Sequence, residues 1–422
     1  MRKVETLIKY ENPDSRKLHY YYQYTFAINK VIEFLNEKYG FSFQLYNTER
    51  RNAGDFNEII SDILQNKPEE LELVASVYDS FGHADILPKD NGKHEIKPSS
   101  TNNIYYFSVF DIAIVTLPVY SYGHPFTESY LFGKNDGQVL DFLQYIDDLE
   151  RQFMLDGITV FTDTDEGLTR SKEKITQQIA REDVLLEDRI KTDIFRSIDE
   201  FFLHSGTFFK TYHIPYKRGI LLYGSPGNGK TTLVKSIAGS VAAPIVYWQI
   251  TEFTSSYSIS EIFSKVVRLA PMVLVIEDID SMPEESRSVF LNTLDGATSK
   301  EGIFLIGTTN YPEKIDPALI NRAGRFDRAY EIKQPSDILR KNYLLKKGIS
   351  QFIEENQLEK LISKTKGLSI AQLNEVYMSI ALDWHYEKQV DIDKIVNDLQ
   401  VNQKKVQKQD WVTDDISGRV GF

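Results

Sequence analysis

The sequence predicts an α/β chain: a parallel five-stranded sheet with helices on its faces, an N-terminal α+β domain before it and a C-terminal helical lid after it. Three observations carry this. Short apolar runs at 219–223, 245–249, 272–277, 303–308 and 329–332 alternate with helical periodicities, as strands of a sheet buried on both faces do. A glycine-rich turn separates the first of these strands from a helix. Residues 336–400 show helical spacing alone.

The elements follow in order. Ala27, Ile28, Val31, Ile32 and Leu35 keep helical spacing, and Gly40 suits the residue after a helix end. Asp55 and Glu58 form a start signal for a helix through Ile59, Ile60 and Ile63. Residues 88–103 are polar and rich in Pro, Gly, Lys and Ser, which predicts an exposed loop. The most apolar long stretch, 104–120, contains Asp111 and Pro118 and many β-branched and aromatic residues, so it is expected as sheet core; a membrane span needs about 20 uninterrupted apolar residues. Leu140, Leu143, Ile146 and Leu149 line one side of a further helix. The highly charged segment 163–190 is expected to link the first domain to the second. Ser258-Ile259-Ser260-Glu261 has the form of a capping box for a helix ending before Pro271, and Ser369-Ile370-Ala371-Gln372 for a helix with Leu373, Val376, Tyr377, Ile380 and Trp384 on its buried side. The expected domains are therefore 1–185 (α+β), 186–335 (α/β), 336–400 (helical) and a polar tail, 401–422.

Composition narrows the function. The net charge of −12 argues against a general nucleic-acid binder, which shows a basic face. The absence of cysteine excludes disulfides, thiolate metal sites and cysteine nucleophiles, and fits a reducing cytoplasm. The first residues lead into no apolar run, so no secretory leader and no transmembrane segment are expected, and a cytoplasmic location is.

The chemistry gathers at the strand ends. Gly224-Ser225-Pro226-Gly227-Asn228-Gly229-Lys230-Thr231 fits G-x-x-x-x-G-K-[ST] at every fixed position, with Thr232 opening the helix behind it. Such a turn aims backbone N–H groups and the positive end of a helix at one point, which suits a triphosphate. Lys230 would meet the β- and γ-phosphates, and Thr231 would offer its hydroxyl to Mg²⁺. Some forty residues on, Val273-Leu274-Val275-Ile276-Glu277-Asp278-Ile279-Asp280 ends a buried strand in three carboxylates. Carboxylates there can hold Mg²⁺ and activate a water for in-line attack. Asn310, at the end of Gly307-Thr308-Thr309-Asn310, is placed to reach a γ-phosphate or that water. Arg322-Ala323-Gly324-Arg325-Phe326-Asp327-Arg328 is a solvated basic turn in isolation; presented by a neighbouring subunit, it would be an arginine finger. No Asn-Lys-x-Asp guanine reader is present, so ATP is expected over GTP.

Together with Leu294-Asp295-Gly296 and Asp316-Pro317-Ala318-Leu319, these motifs resemble the AAA ATPase family over residues 190–390. The runs from His213 to Gly224 and from Leu269 to Asp280 look most like the mitochondrial AAA chaperone that moves the folded Rieske protein across a membrane. The resemblance implies Glu277 on the Mg²⁺ side and Asp278 as catalytic base. Most members carry Asp then Glu, so the division of labour between the two stays open. It implies a phosphate-sensing role for Asn310 and finger positions at Arg322 and Arg325. One extra residue, Asn321, precedes Arg322, which favours Arg325, beside the intact Phe326-Asp327. No second sensing arginine is evident near Gly367-Leu368-Ser369. The resemblance further implies a homo-oligomeric ring, a hexamer, acting on protein clients received by the N-terminal domain. Many relatives grip clients through an aromatic–aliphatic–glycine loop after the second strand. Here Tyr247-Trp248-Gln249-Ile250-Thr251-Glu252-Phe253 has no glycine and reads as strand core, which favours clients handled folded or partly folded. A nucleic-acid motor or loader on the same core, and a nucleotide-dependent scaffold without turnover, are the alternatives.

Overall fold

The computed structural model describes residues 5–8, 24–47, 53–88, 93–121, 124–155, 157–165, 167–173, 179–295, 301–320 and 325–408. The chain divides into two units, Met1–Phe153 and Met154–Phe422.

The first unit is a six-stranded sheet. Its strands are β1 (Glu5–Ile8), β2 (Gln44–Tyr46), β3 (Glu72–Tyr78), β6 (Asn103–Phe107), β7 (Ile112–Ser121) and β8 (His124–Gly133), in the order β1-β3-β6-β7-β8-β2. Side chains alternate between its faces. Ile104, Tyr106, Ala113 and Val115 pack with Ala27, Val31 and Leu35 of helix α1 (Tyr24–Tyr39). Tyr105, Phe107, Ile112 and Ile114 pack with helices α2 (Ala53–Asn66) and α3 (Asp136–Leu155) on the opposite face. The apolar stretch 104–120 is thus sheet core. The segment expected as a loop at 88–103 is different: β4 (Ala84–Pro88) and β5 (His94–Pro98) pair as an antiparallel ribbon, and Ser99, Asn102 and Asn103 are buried. Their polarity is satisfied internally. Asn102 exchanges two amide bonds with the Tyr78 backbone, at 2.8 Å each. Asn103 donates to the Ser99 carbonyl at 2.8 Å and accepts from the Ser76 hydroxyl at 2.6 Å.

The second unit contains the five expected strands: β11 (Lys217–Tyr223), β12 (Ile245–Gln249), β13 (Met272–Glu277), β14 (Ile303–Thr309) and β15 (Arg328–Glu331). All their pairings are parallel. The sheet is larger than expected. β9 (Ile158–Thr164) joins β12 in parallel, and β10 (Gly167–Glu173) pairs antiparallel with β9, giving the order β10-β9-β12-β13-β14-β11-β15. The start of the supposed charged linker is therefore an edge hairpin of this sheet, and the division of the chain falls at 153/154 rather than near 185. The reason is physical: an edge strand exposes half of its residues and tolerates charge.

Helices cover both faces of this sheet. α4 (Asp188–Phe202) and α6 (Lys230–Ala238) pack on one, the five-residue α5 (Thr207–Thr211) beside them. α7 (Ser256–Arg268) and α8 (Glu284–Asp295) pack on the other. The capping box of α7 is Ser255 with Ser258, one turn earlier than the pattern indicated. Tyr247 and Trp248 are buried in β12, as strand-core residues should be, whereas Phe253 of the same stretch is exposed.

The lid comprises α9 (Asp337–Lys346), α10 (Glu355–Lys364), α11 (Ile370–Glu387) and α12 (Ile392–Lys408) around one apolar core. The Ser369–Gln372 capping box of α11 is present. Leu373, Val376 and Ile380 are buried, but Trp384 is substantially exposed. α12 continues through Lys408, so the expected tail from 402 is helical at its start; residues 409–422 lie outside the described residues. Arg340, buried, ties the lid's entry together by donating to the carbonyls of Pro335 at 2.8 Å and Ile362 at 2.9 Å. No helix among the described residues is long and apolar enough to cross a membrane.

Candidate nucleotide-binding site

β11 runs between β14 and β15 and ends at Tyr223, paired with Thr309. The phosphate loop follows and feeds directly into α6. Gly224, Gly227 and Gly229 take φ values of 138°, 77° and 93°, where a side chain would be strained. This curl turns the loop's N–H groups inward and leaves the N-terminus of α6 facing a pocket of about 510 Å³. Upstream, Gly219 is required by a close approach: a Cβ there would stand 1.8 Å from the Arg325 carbonyl oxygen.

The pocket gathers most of the expected residues. Pro226, Gly227, Gly229, Lys230, Thr231 and Thr232 form one wall, and Glu277, Asp278, Thr308 and Asn310 another. Gly224 and Ser225 act from behind. Their carbonyls accept from Lys230 Nζ at 2.6 and 3.2 Å. Asn228 is buried and donates to the Ser225 carbonyl at 3.2 Å.

Lys230 Nζ also donates to Asn310 Oδ1 at 2.7 Å, and Asn310 Nδ2 donates to Asp278 Oδ1 at 3.3 Å. Ammonium, amide and carboxylate thus form one chain across the strand ends. Asp278 sits at φ 53°, ψ 50°, an unusual conformation for a non-glycine residue. Its N–H donates to the Thr308 hydroxyl at 3.3 Å. Asp280 does not line the pocket but braces it: its carboxylate accepts from the Thr309 hydroxyl at 2.6 Å, and that hydroxyl accepts from the Tyr311 N–H at 3.0 Å, fixing the turn that carries Asn310.

Burial sets the charges here. It lowers the Lys230 pKa, against the opposing pull of Asp278 and Asp280. Burial, helped by the like charge of Asp280, raises the Asp278 pKa above the ordinary carboxylate value, and Lys230 opposes the rise.

Arg325 is not brought to the pocket. It is 3% exposed, and its guanidinium bonds Asp295 through Nε at 2.7 Å and Nη2 at 2.6 Å, with Nη1 donating to the Ala318 carbonyl. The arginine end of this bidentate pair is enclosed, while Asp295 reaches solvent. Within its own copy Arg325 is thus a structural pin on Asp295. Arg322 lies outside the described residues.

The third wall comes from the lid. Tyr343 of α9 and Ile370, Ala371 and Asn374 of α11 close the pocket from the lid. The Ala371 N–H donates to the Gly227 carbonyl at 3.0 Å, so α11 begins against the phosphate loop. Ile370 also borders a narrow crevice with Leu186, Ile190, Ile332 and Leu339 on its apolar side and Asn228, Glu331 and Lys333 on its polar side. The capping box located the start of α11, but nothing local indicated what that start would touch.

Fold and site together define a P-loop nucleotide-binding domain with a helical lid. The family model described as "ATPase family associated with various cellular activities (AAA)" matches residues 220–334, so the chain carries an AAA domain. Among curated proteins the chain is similar to the ATP-dependent zinc metalloprotease FtsH of Pseudomonas putida, 32% identical over 192 residues, covering 40% of this chain and 31% of FtsH. It is also similar to the cell division cycle protein 48 homolog of Archaeoglobus fulgidus, 31% identical over 235 residues, covering 50% and 32%. Protein SAV of Sulfolobus acidocaldarius is 33% identical over 196 residues, covering 42% and 25%. The chain thus spans about a third or less of the length of these relatives.

Proposed function

We propose that this protein hydrolyses ATP at the pocket between sheet and lid and uses the cycle to remodel protein clients within a ring of copies. One observation supports this above the others: Lys230, Asn310 and Asp278 form a continuous hydrogen-bonded chain in a cavity walled by a phosphate loop. In this reading the loop's N–H groups hold the phosphates, and Lys230 offsets the charge that develops on the γ-phosphoryl group. Asp278, whose raised pKa suits a base, takes the proton of the attacking water, and Asn310 orients that water. Thr231 and Glu277, both lining the pocket, are the hard oxygen donors that would hold Mg²⁺, which would supply charge neutralisation for the phosphates.

The protein-handling part rests on similarity. FtsH is named an ATP-dependent metalloprotease. This sequence has no His-Glu-x-x-His, so remodelling rather than cleavage is the reading for this chain. The resemblance to the Rieske-protein chaperone and the burial of Tyr247 and Trp248 favour clients handled folded or partly folded. A hexameric ring, a cytoplasmic site of action and Arg325 or Arg322 as the arginine offered to a neighbouring copy complete the proposal. The nucleic-acid motor has only the shared ATPase core in its favour, and the net charge of −12 stands against it.

Asp278→Asn tests the assignment. It is expected to keep ATP bound while phosphate release falls roughly 10²–10⁴-fold, and to retain clients for mass spectrometry. A larger loss in Glu277→Gln, with Asp278→Asn still active, would exchange the two roles. Stimulation of turnover by DNA, falling steeply with salt, would support the motor instead.

A further inference from the structure

We infer that Tyr343 and Asn374 form a sugar subsite that makes the pocket select ribonucleotides over 2′-deoxyribonucleotides. The inference rests on the nucleotide reading given above and concerns the part of the ligand that a phosphate loop cannot distinguish.

The lid wall offers Ile370, Ala371, Tyr343 and Asn374, of which only the last two bring polar side-chain atoms. The Tyr343 hydroxyl donates to Asn374 Oδ1 at 3.1 Å. That bond fixes the amide, with its oxygen engaged and its two N–H groups without a hydrogen-bond partner among the described residues. Tyr343 is buried and its pKa is raised, chiefly by that burial, so the phenol keeps its proton and continues to orient the amide.

The position fits a sugar. Ala371, at the start of α11, donates its N–H to Gly227 of the phosphate loop at 3.0 Å. Asn374 stands three residues further, on the same side of the helix and about 4.5 Å along its axis. In a nucleotide the ribose directly follows the α-phosphate, so a ligand held by residues 227–231 carries its sugar past Asn374. Its base continues past Ile370, on the side of Leu186 and Leu339. An amide N–H pair can donate to the 2′ and 3′ oxygens, and the 2′ oxygen is the atom that separates the two sugars. The bland role for the pair is a tie between α9 and α11, and the two roles differ in what their loss does.

The test uses the full chain and compares phosphate release from ATP and 2′-deoxyATP. The wild type is expected to favour ATP roughly tenfold in kcat/KM, the scale of one or two hydrogen bonds. Asn374→Ala is expected to bring that ratio close to one, mainly through a higher KM for ATP. Tyr343→Phe, which keeps the ring and removes the orienting hydroxyl, is expected to lower it part of the way. Equal losses with both nucleotides would reduce the pair to a lid tie and overturn the inference. A changed ATP/GTP ratio with an unchanged ribose preference would move the pair to the base and overturn it as well. Lys230→Ala, run in parallel, separates the underlying reading. If it releases phosphate as fast as the wild type, the nucleotide site itself is misplaced. If it is inactive while Asn374→Ala leaves the ribose preference intact, only the sugar subsite falls.

Discussion

In the N-terminal unit, Asn102 and Asn103 are fully buried and direct their amides at backbone carbonyls, a backbone N–H and a serine hydroxyl, so the network closes on itself. In the second unit, Asn310 is half-buried and holds an ammonium with one end and a carboxylate with the other, at the wall of a cavity. All three asparagines sit at or beside strand ends, and each is hydrogen-bonded. The difference lies in the partners. A network anchored on backbone contributes to stability, because removing a member leaves a buried group unpaired. A chain of titratable side chains facing a cavity is held for chemistry, and its members can exchange partners when a ligand enters.

Three substitutions would break or sharpen that contrast. Lys230→Ala should have the largest effect, a loss of roughly 10³–10⁴ in phosphate release, with stability held within about 1 kcal/mol because the ammonium sits where solvation is poor. A large stability loss with turnover preserved would move Lys230 to the structural group. Arg325→Ala comes next, at about 1.5–3 kcal/mol in denaturant unfolding, since it removes the two bonds to Asp295 and the one to the Ala318 carbonyl. Wild-type stability with abolished turnover would return Arg325 to the role of a presented finger. Asn102→Ala should cost roughly 1–3 kcal/mol, with phosphate release kept at low temperature. A comparable loss of turnover there would show that the first unit's network is not purely structural.

The contrast also explains what could be seen in advance. The five parallel strands were legible because burial on both faces leaves uninterrupted apolar runs. The hairpin of β9 and β10 was not. Its outer strand, GLTRSKE, is largely exposed, and Arg170, Lys172 and Glu173 gave the segment the composition of a linker. Asp163 shows why the reading failed: its carboxylate, buried, accepts from the Trp248 indole N–H at 2.9 Å and the Thr254 hydroxyl at 2.7 Å, so a charge counted as solvent-facing is a strand-to-loop staple. The phosphate loop was legible because its function is local in sequence. Tyr343 and Asn374 stand 31 residues apart and more than a hundred beyond Lys230, with no motif between them. Arg325 was visible as a motif residue, but its bond to Asp295, 30 residues earlier, was not, because no motif links the two.

The bond from Ala371 to Gly227 has a mechanical side. A Cβ on Gly227 would lie 2.9 Å from the Ala371 methyl, so loop and helix start are in firm contact, and Arg340 fastens the Pro335 joint beside them. α11 has 18 residues and so measures about 27 Å. A tilt of roughly 5° at its inner end would carry its outer end about 2 Å. The helix is a lever whose inner end rests on the phosphate loop, and Gly227 is the point at which a tilt of a few degrees becomes a displacement of about 2 Å at the far end.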